Sequence, residues 1–246
     1  MAMLVKEGYK DKKGINYDLL NIHFEKKEDM ATSLGKYVAE TDYKDNMFLS
    51  SSWNLTNGIY LYQSYFDPKI ALRIYRDFAS YKYVHHDDAK LIKELLERGK
   101  NVLLTDFPKG VITIEDYVVG QAIPFYEDYD TLAKVVINKK DELTMMKYYL
   151  EIMKILKELY NNSIIYADVR SRNFMINRVN NLVKLIDFES QYISFDDRLY
   201  KEMIKNIKIT INEINDYLNI KFKLDKEDSL DNIEETLLEE TYKRSR

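Results

Sequence analysis

The sequence predicts an α+β fold in which a small antiparallel sheet precedes a mainly helical half. In the first half, short stretches of alternating apolar and aromatic residues are separated by turn residues, such as Asn57-Gly58 and Pro108. A period of two is typical of half-buried strands, and Gly, Pro and Asn mark the turns between them. The second half carries long segments with apolar residues at helical spacing, at 141–162 and 194–220. One chain with two differently built parts is therefore expected.

Composition limits the classes of function. The chain has 246 residues, of which 46% are hydrophobic and 32% charged, so it is long enough to bury a core. Its formal charge of -4 argues against a general nucleic-acid binder, which needs a basic face. No apolar run approaches the ~20 residues that span a bilayer, and the N-terminus lacks a signal-peptide core, so we expect a cytoplasmic protein without a membrane partner. With no Cys and three His, thiolate and His-based metal sites are not expected.

The chain divides into three predicted segments. Residues 1–45 are expected to form an extension that packs on the body, with an amphipathic helix over 26–40. Residues 46–120 are expected to form the sheet-rich part and residues 121–246 the helical part.

Three strands are predicted between residues 47 and 75, joined by a Ser-rich turn at 50–58 and a second turn at Asp67-Pro68. The Ser-rich turn suits either backbone binding of phosphates or an ordinary hairpin loop. Packing is the favoured interpretation for Trp53 and for the tyrosines of 60–65, with nucleotide stacking as the alternative.

A helix over 86–101 is indicated by its apolar spacing and by Gly99 as a stop signal. Two further strands, 101–107 and 111–120, are predicted on either side of the turn at Pro108. The strongest helix signal follows at 141–162.

The chemistry concentrates in residues 162–191. Asp168 and Asn173 are spaced as D-x-x-x-x-N, and Asp187 follows a predicted strand at 183–186. Carboxylate and amide oxygens on neighbouring loops suit a hard divalent cation and phosphate. The alternative is that these residues only cap turns, which Asp and Asn favour.

Two segments resemble the catalytic and metal-binding motifs of the protein-kinase-like superfamily, namely IIYADVRSRNFMI and VKLIDFE. That superfamily includes eukaryotic-type protein kinases, aminoglycoside phosphotransferases and choline kinases. The resemblance, which spans roughly residues 47 to 190, implies a bilobal protein-kinase-like fold with a small antiparallel-sheet N-lobe and a reduced, mainly helical C-lobe. It implies a divergent member of bacterial or phage type, which uses ATP and Mg²⁺.

The same resemblance implies site residues. Asp168 matches the catalytic aspartate, and Asn173 and Asp187 match the metal ligands. Arg170 and Arg172 lie in the catalytic loop, where kinases often place a cation that steadies the transferring phosphate.

Other matches concern the nucleotide. Arg73, in the strand IALRIY, occupies the position of the family's lysine, and Glu94 on the following helix is its candidate acidic partner, with Glu97 second. IEDYVVG resembles the hinge strand, which places Asp116, Tyr117 and Val118 beside the adenine.

The sequence also departs from the family motifs. Tyr166 and Ala167 replace the loop's His and Arg, Glu189 replaces the Gly of D-F-G, and Arg73 replaces Lys. A guanidinium is larger than an ammonium and presents its charge as a planar fork, so the last exchange is not neutral. Two hypotheses follow: a phosphotransferase that transfers the γ-phosphate of ATP to an unidentified hydroxyl acceptor on a small molecule or protein, and a pseudokinase that binds nucleotide or a protein partner without turnover.

Overall fold

The computed structural model describes most of the chain, namely residues 4–11, 13–25, 36–40, 59–64, 66–75, 87–114, 117–138 and 141–246. The predictions for the Ser-rich turn at 50–58, for Trp53 and for Asp116 lie outside the described residues. The chain splits into two compact units, Met1–Leu96 with Phe107–Phe125 and Glu97–Asp106 with Tyr126–Arg246.

Within the described residues, the first unit holds a seven-stranded sheet with the order β1-β2-β6-β7-β5-β4-β3. Neighbouring strands are antiparallel except for β2 and β6, which are parallel. Helix α1, Asp88–Arg98, follows β5. The strands are β1 (Leu4–Lys10), β2 (Asn16–Phe24), β3 (Lys36–Glu40), β4 (Ile59–Gln63), β5 (Ile70–Tyr75), β6 (Gly110–Ile114) and β7 (Tyr117–Pro124).

Both faces of this sheet carry an apolar cluster. Alternate residues of a strand point to opposite faces, and β2, β6 and β7 contribute to both clusters. One face carries Ile22, Leu72 and Ile112, among others. The opposite face packs against α1 through Ala89 and Ile92. The helix therefore covers one face of the sheet.

The N-terminal residues belong to the sheet. Strands β1 and β2 form an antiparallel pair, and β2 lies beside β6. The amphipathic helix predicted over 26–40 is wrong for its last five residues, which form β3 and pair with β4. Pairing with a neighbouring strand overrides a short helical pattern, because each ladder satisfies the backbone groups of both strands.

The two strands after α1 are also displaced from their predicted positions. The stretch 101–107 forms no strand, and the segment 111–120 belongs to two strands, β6 and β7, which pair antiparallel with each other. Leu103 is 80% exposed, and Glu158 accepts hydrogen bonds from the backbone N–H groups of Leu103 and Leu104 at 3.0 and 2.9 Å. The Glu158 side chain thus supplies the hydrogen-bond acceptors that a neighbouring strand would supply in a sheet.

The second unit is mainly helical. Its short strands form a three-stranded sheet of order β11-β10-β8 and a two-stranded sheet of β12 and β9. Among the described residues its elements are β8 (Tyr129–Thr131), α2 (Leu132–Ile137), α3 (Glu142–Asn161), β9 (Ile165–Tyr166), β10 (Phe174–Asn177), β11 (Val183–Leu185), β12 (Ile193–Ser194), α4 (Tyr200–Leu218) and α5 (Leu230–Arg244).

Helix α3 forms the centre of this unit. Its N-cap is Asp141, whose carboxylate accepts a hydrogen bond from the backbone N–H of Thr144 at 2.9 Å. Met146, in its second turn, is fully buried. Lys157 of α3 forms ion pairs with Asp231 and Glu234 of α5, both at 2.6 Å. None of the helices in the described part of the chain combines the length and apolar character needed to cross a membrane.

Candidate functional site

The loop after β9 carries the predicted catalytic residues, and hydrogen bonds hold it on two sides. Strand β9 pairs with β12, and the N–H of Ala167 donates to the carbonyl of Tyr192 at 2.8 Å. From α4, the Asn206 amide donates to the Ala167 carbonyl and the Thr210 hydroxyl to the Val169 carbonyl, each at 2.7 Å. Because buried carbonyl groups need donors, these contacts stabilise the loop conformation.

Asp168 and Asn173 lie together at the centre of this loop. Both are 2% exposed. The Asn173 Nδ2 group lies 2.8 Å from Asp168 Oδ2 and 2.9 Å from the Asp168 carbonyl oxygen. Arg170 Nε lies 2.6 Å from the other carboxylate oxygen, Asp168 Oδ1. Asp168 Oδ2 thus accepts a hydrogen bond from its own loop, whereas Oδ1 forms an ion pair with Arg170 without a hydrogen bond. Arg172, by contrast, lies half-buried in the short 3₁₀ turn Ser171–Asn173.

Asp187 is brought to the same loop by the β10–β11 hairpin. A turn over 178–180 joins the two strands, and the N–H of Ile186 donates to the carbonyl of Asn173 at 2.9 Å. Asp187 itself has a φ of 69°, in the left-handed region that non-glycine residues seldom adopt. Strain of this kind concentrates at functional sites.

Tyr166 connects these residues. Its hydroxyl accepts a hydrogen bond from Asn173 Nδ2 at 2.9 Å and lies within donating distance of the carbonyl oxygens of Ile186, at 3.1 Å, and Asp187, at 3.3 Å. Burial, followed by the negative charges of Asp187 and Asp168, raises the pKa of Tyr166 well above the usual tyrosine value. The phenol therefore keeps its proton and remains a donor.

The donor set suits a hard divalent cation. Because the nitrogen of the Asn173 amide faces Tyr166 and Asp168, the oxygen is the end of that group that can coordinate a cation. Asp187 adds a carboxylate. Mg²⁺ takes one or two such protein ligands and completes its shell with water and phosphate oxygens. In the part of the chain that the structure describes, no group of three or more His, Cys, Asp and Glu residues is arranged to hold a metal.

Arg73 lies in the first unit, on the face of β5 that packs towards α1. It is 5% exposed and stands opposite Gln121 of β7. A Cβ atom on Gly120 would lie 2.2 Å from the Arg73 carbonyl oxygen, so only glycine permits the approach of the two strands here. Glu94, the predicted partner of Arg73, is half-buried on α1.

The side chains of two predicted hinge residues pack within the sheet. Tyr117 begins β7 and packs against the apolar cluster on one sheet face, and Val118 is 4% exposed in the cluster on the face with α1. Their place beside the adenine stays a prediction.

Tyr166, Asn206 and Thr210 are site residues that the motifs did not predict. The sequence of α4 did contain a hint. Asn206 and Thr210 are one helical turn apart, and each precedes an isoleucine, Ile207 or Ile211, that is buried. Polar residues on a buried helix face require partners, and here the partners are loop carbonyls.

No family model and no curated protein matches this sequence. A comparison with solved structures finds a chain described as "Structure of vaccinia related kinase 3", with a TM-score of 0.50 and 9% sequence identity. The match covers 100% of this chain and 93% of that chain. At this identity the likeness concerns the fold alone. The protein has a kinase-like bilobal fold, with a sheet-rich first part and a mainly helical second part.

Proposed function

We propose that the protein is an ATP- and Mg²⁺-dependent phosphotransferase that transfers the γ-phosphoryl group of ATP to a hydroxyl acceptor. One observation carries the proposal: a continuous set of hydrogen bonds through Asn173 and Tyr166 joins Asp168 to the backbone of Asp187. Asp168, Asn173 and Asp187 thus form one preorganised group. Residues that only capped separate turns would not need to be connected in this way.

Each residue has a role in this proposal. Asp168 orients the acceptor hydroxyl and takes its proton as the acceptor oxygen bonds to the γ-phosphorus and the bond to the bridging oxygen of ADP breaks. Asn173 and Asp187 hold Mg²⁺, which when bound neutralises charge on the phosphates. Arg170, at 2.6 Å from Asp168, supplies a positive charge beside the reacting groups. Arg73 is proposed to bind phosphate.

A small hydroxyl compound suits the site better than a peptide. Only residues 188–199 separate Asp187 from α4, and β12 lies within them, paired with β9. The Ser194 hydroxyl donates to the backbone carbonyl of Asp196 at 2.7 Å, which fixes this segment further. A segment held in this way leaves little chain to form a peptide-docking loop.

Nucleotide binding without turnover is the second candidate function. Two observations favour it: Arg73 stands where the family has lysine, and Asn173 and Arg170 already engage both oxygens of the Asp168 carboxylate. The two candidates agree on ATP binding and differ on phosphoryl transfer.

A thermal-shift titration with ATP, with and without Mg²⁺, tests binding. At a ligand concentration of about 100 Kd, binding stabilises the native state by about 2.7 kcal/mol, which raises Tm by roughly 5–10 °C. Asp187→Asn should abolish the Mg²⁺-dependent part of this rise. Asp128→Asn is the matched control, since Asp128 is 64% exposed and lies outside the site. The absence of any shift in the wild-type protein would reject both candidates.

Incubation with γ-labelled ATP and a pool of hydroxyl compounds tests turnover. We expect labelled product from the wild-type protein, with Asp168→Asn slowing transfer about 10²-fold or more while ATP binding persists. Binding without labelled product, on a small molecule or on protein, would establish the non-catalytic alternative. Undiminished transfer in Asp168→Asn would refute the role of Asp168.

A further inference from the structure

Asp88, the first residue of helix α1, is a buried acid whose hydrogen-bond partners are neighbours of Arg73. Asp88 is 1% exposed, although its neighbour Asp87 is exposed. The Asp88 Oδ2 atom accepts hydrogen bonds from the Tyr75 hydroxyl at 2.5 Å and from Gln121 Nε2 at 3.0 Å. A buried carboxylate is costly unless such partners and a nearby positive charge compensate it.

Both partners of Asp88 are immediate neighbours of Arg73. Gln121 stands directly opposite Arg73 in the β5–β7 register. Tyr75 follows Arg73 by two residues on the same strand face, and the Arg73 Cζ atom lies 5.6 Å from the centroid of its ring. The Arg73 guanidinium thus lies beside Tyr75 and Gln121, the two side chains that donate hydrogen bonds to the Asp88 carboxylate.

Helix geometry explains why Asp88, rather than Glu94, occupies this place. The buried residues of α1 are Asp88, Ala89, Leu91, Ile92 and Leu95, which form one stripe towards the sheet. At about 100° per residue, Glu94 lies roughly 120° from Asp88 and outside this stripe. The acid that faces the sheet is therefore at the start of the helix, six positions before Glu94.

We propose that Asp88 is a positioning residue for Arg73: by holding Tyr75 and Gln121, it sets the place of the guanidinium that binds the phosphates of ATP. The proposal rests on the proposed function for the role of Arg73. It assigns a link between helix and sheet to Asp88, the N-terminal residue of α1.

The first test uses the nucleotide-free protein. Asp88→Asn preserves the size of the side chain and removes its charge, and we expect it to lower Tm by about 5 °C. In an Arg73→Met background the same change should lower Tm by less than about 2 °C, because a residue that acts through Arg73 loses its effect when Arg73 is absent. Asp87→Asn, the exposed control at the same helix end, should leave Tm within about 2 °C.

The second test measures the Kd for ATP by titration. Asp88→Asn should weaken binding about fivefold or more in the wild-type background and less than twofold in Arg73→Met. Tyr75→Phe, which keeps the carboxylate and removes one of its hydrogen bonds, should weaken binding to a smaller extent and serves if Asp88→Asn fails to fold. A purely structural Asp88 would lower Tm without changing the Kd.

The outcomes separate the inference from the proposed function. Equal effects of Asp88→Asn in both backgrounds, in Tm and in Kd, would overturn the inference, as would a Glu94→Gln variant that alone reproduces the loss of binding. If the wild-type protein binds no ATP, the proposed function fails, and the Tm measurements then decide the link between Asp88 and Arg73 by themselves.

Discussion

At the scale of single residues, a buried phenol organises the second-unit site. Tyr166 is fully buried just before the loop of Asp168 and Asn173. In the structure its hydroxyl links Asn173 to the carbonyl of Asp187. A tyrosine that keeps its proton performs this task at every physiological pH, because burial and the neighbouring carboxylates raise its pKa.

Tyr166→Phe should destabilise the protein by about 1–3 kcal/mol, since it removes the acceptor of one buried Asn173 hydrogen bond and the hydroxyl donor beside the carbonyl groups of Ile186 and Asp187. A urea titration should show the lower midpoint with an unchanged slope. Tyr242→Phe is the control, since the Tyr242 side chain is 58% exposed and lies on α5. Equal stability of Tyr166→Phe and the wild type would mean that the hydroxyl makes no net contribution.

At the scale of elements, long periodic segments were predictable and short apolar ones were not. Helices α3 and α4 and strand β11 lie where their patterns indicate. Residues 101–107 have a strand-like pattern but form no strand in the described part of the chain, whereas 111–120 is divided between β6 and β7, which pair with each other. Strands depend on distant neighbours, so a short stretch of sequence does not determine them.

Helix α4 supports the loop through Thr210, whose hydroxyl donates to the Val169 carbonyl at 2.7 Å. Thr210→Val removes this buried bond with little change in shape and should cost about 1–2 kcal/mol of stability. Phosphoryl transfer should fall while ATP binding changes little, because the bond fixes the loop of Asp168. Thr236→Val is the control: the Thr236 hydroxyl bonds only to its own helix, at the Asn232 carbonyl. Unchanged phosphoryl transfer in Thr210→Val would show that this contact from α4 does not support the site.

At the scale of the whole molecule, the tyrosines determine how stability depends on pH in alkaline solution. The chain has 21 tyrosines and no cysteine. Desolvation is the largest cause that raises the pKa of Tyr126, Tyr149 and Tyr166 above the usual value. These side chains therefore stay neutral in the folded protein at pH values where they would ionise in the unfolded chain.

Stability should consequently fall in alkaline solution. Above about pH 10 the unfolded chain loses tyrosine protons that the folded chain keeps, so the free energy of unfolding decreases as pH rises, by roughly 1.4 kcal/mol per pH unit for each such tyrosine. Below that pH both states are protonated and the effect vanishes. Urea midpoints between pH 8 and 11 measure the slope, which should be shallower in Tyr149→Phe and unchanged in Tyr242→Phe, a control at 58% exposure. Equal slopes in both variants would contradict this explanation.

The sequence alone determined the local features: the long helices from their periodicity, and the identity and spacing of Asp168, Asn173 and Asp187 from their motifs. These features depend on residues close together in the chain. The tertiary structure decided the partners: that β1 and β2 extend the sheet, that the hydroxyl of Tyr166 joins Asn173 to Asp187, and that Asp88 lies against the neighbours of Arg73. Such contacts join residues on separate elements, and only the packing of the folded chain brings them within hydrogen-bonding distance.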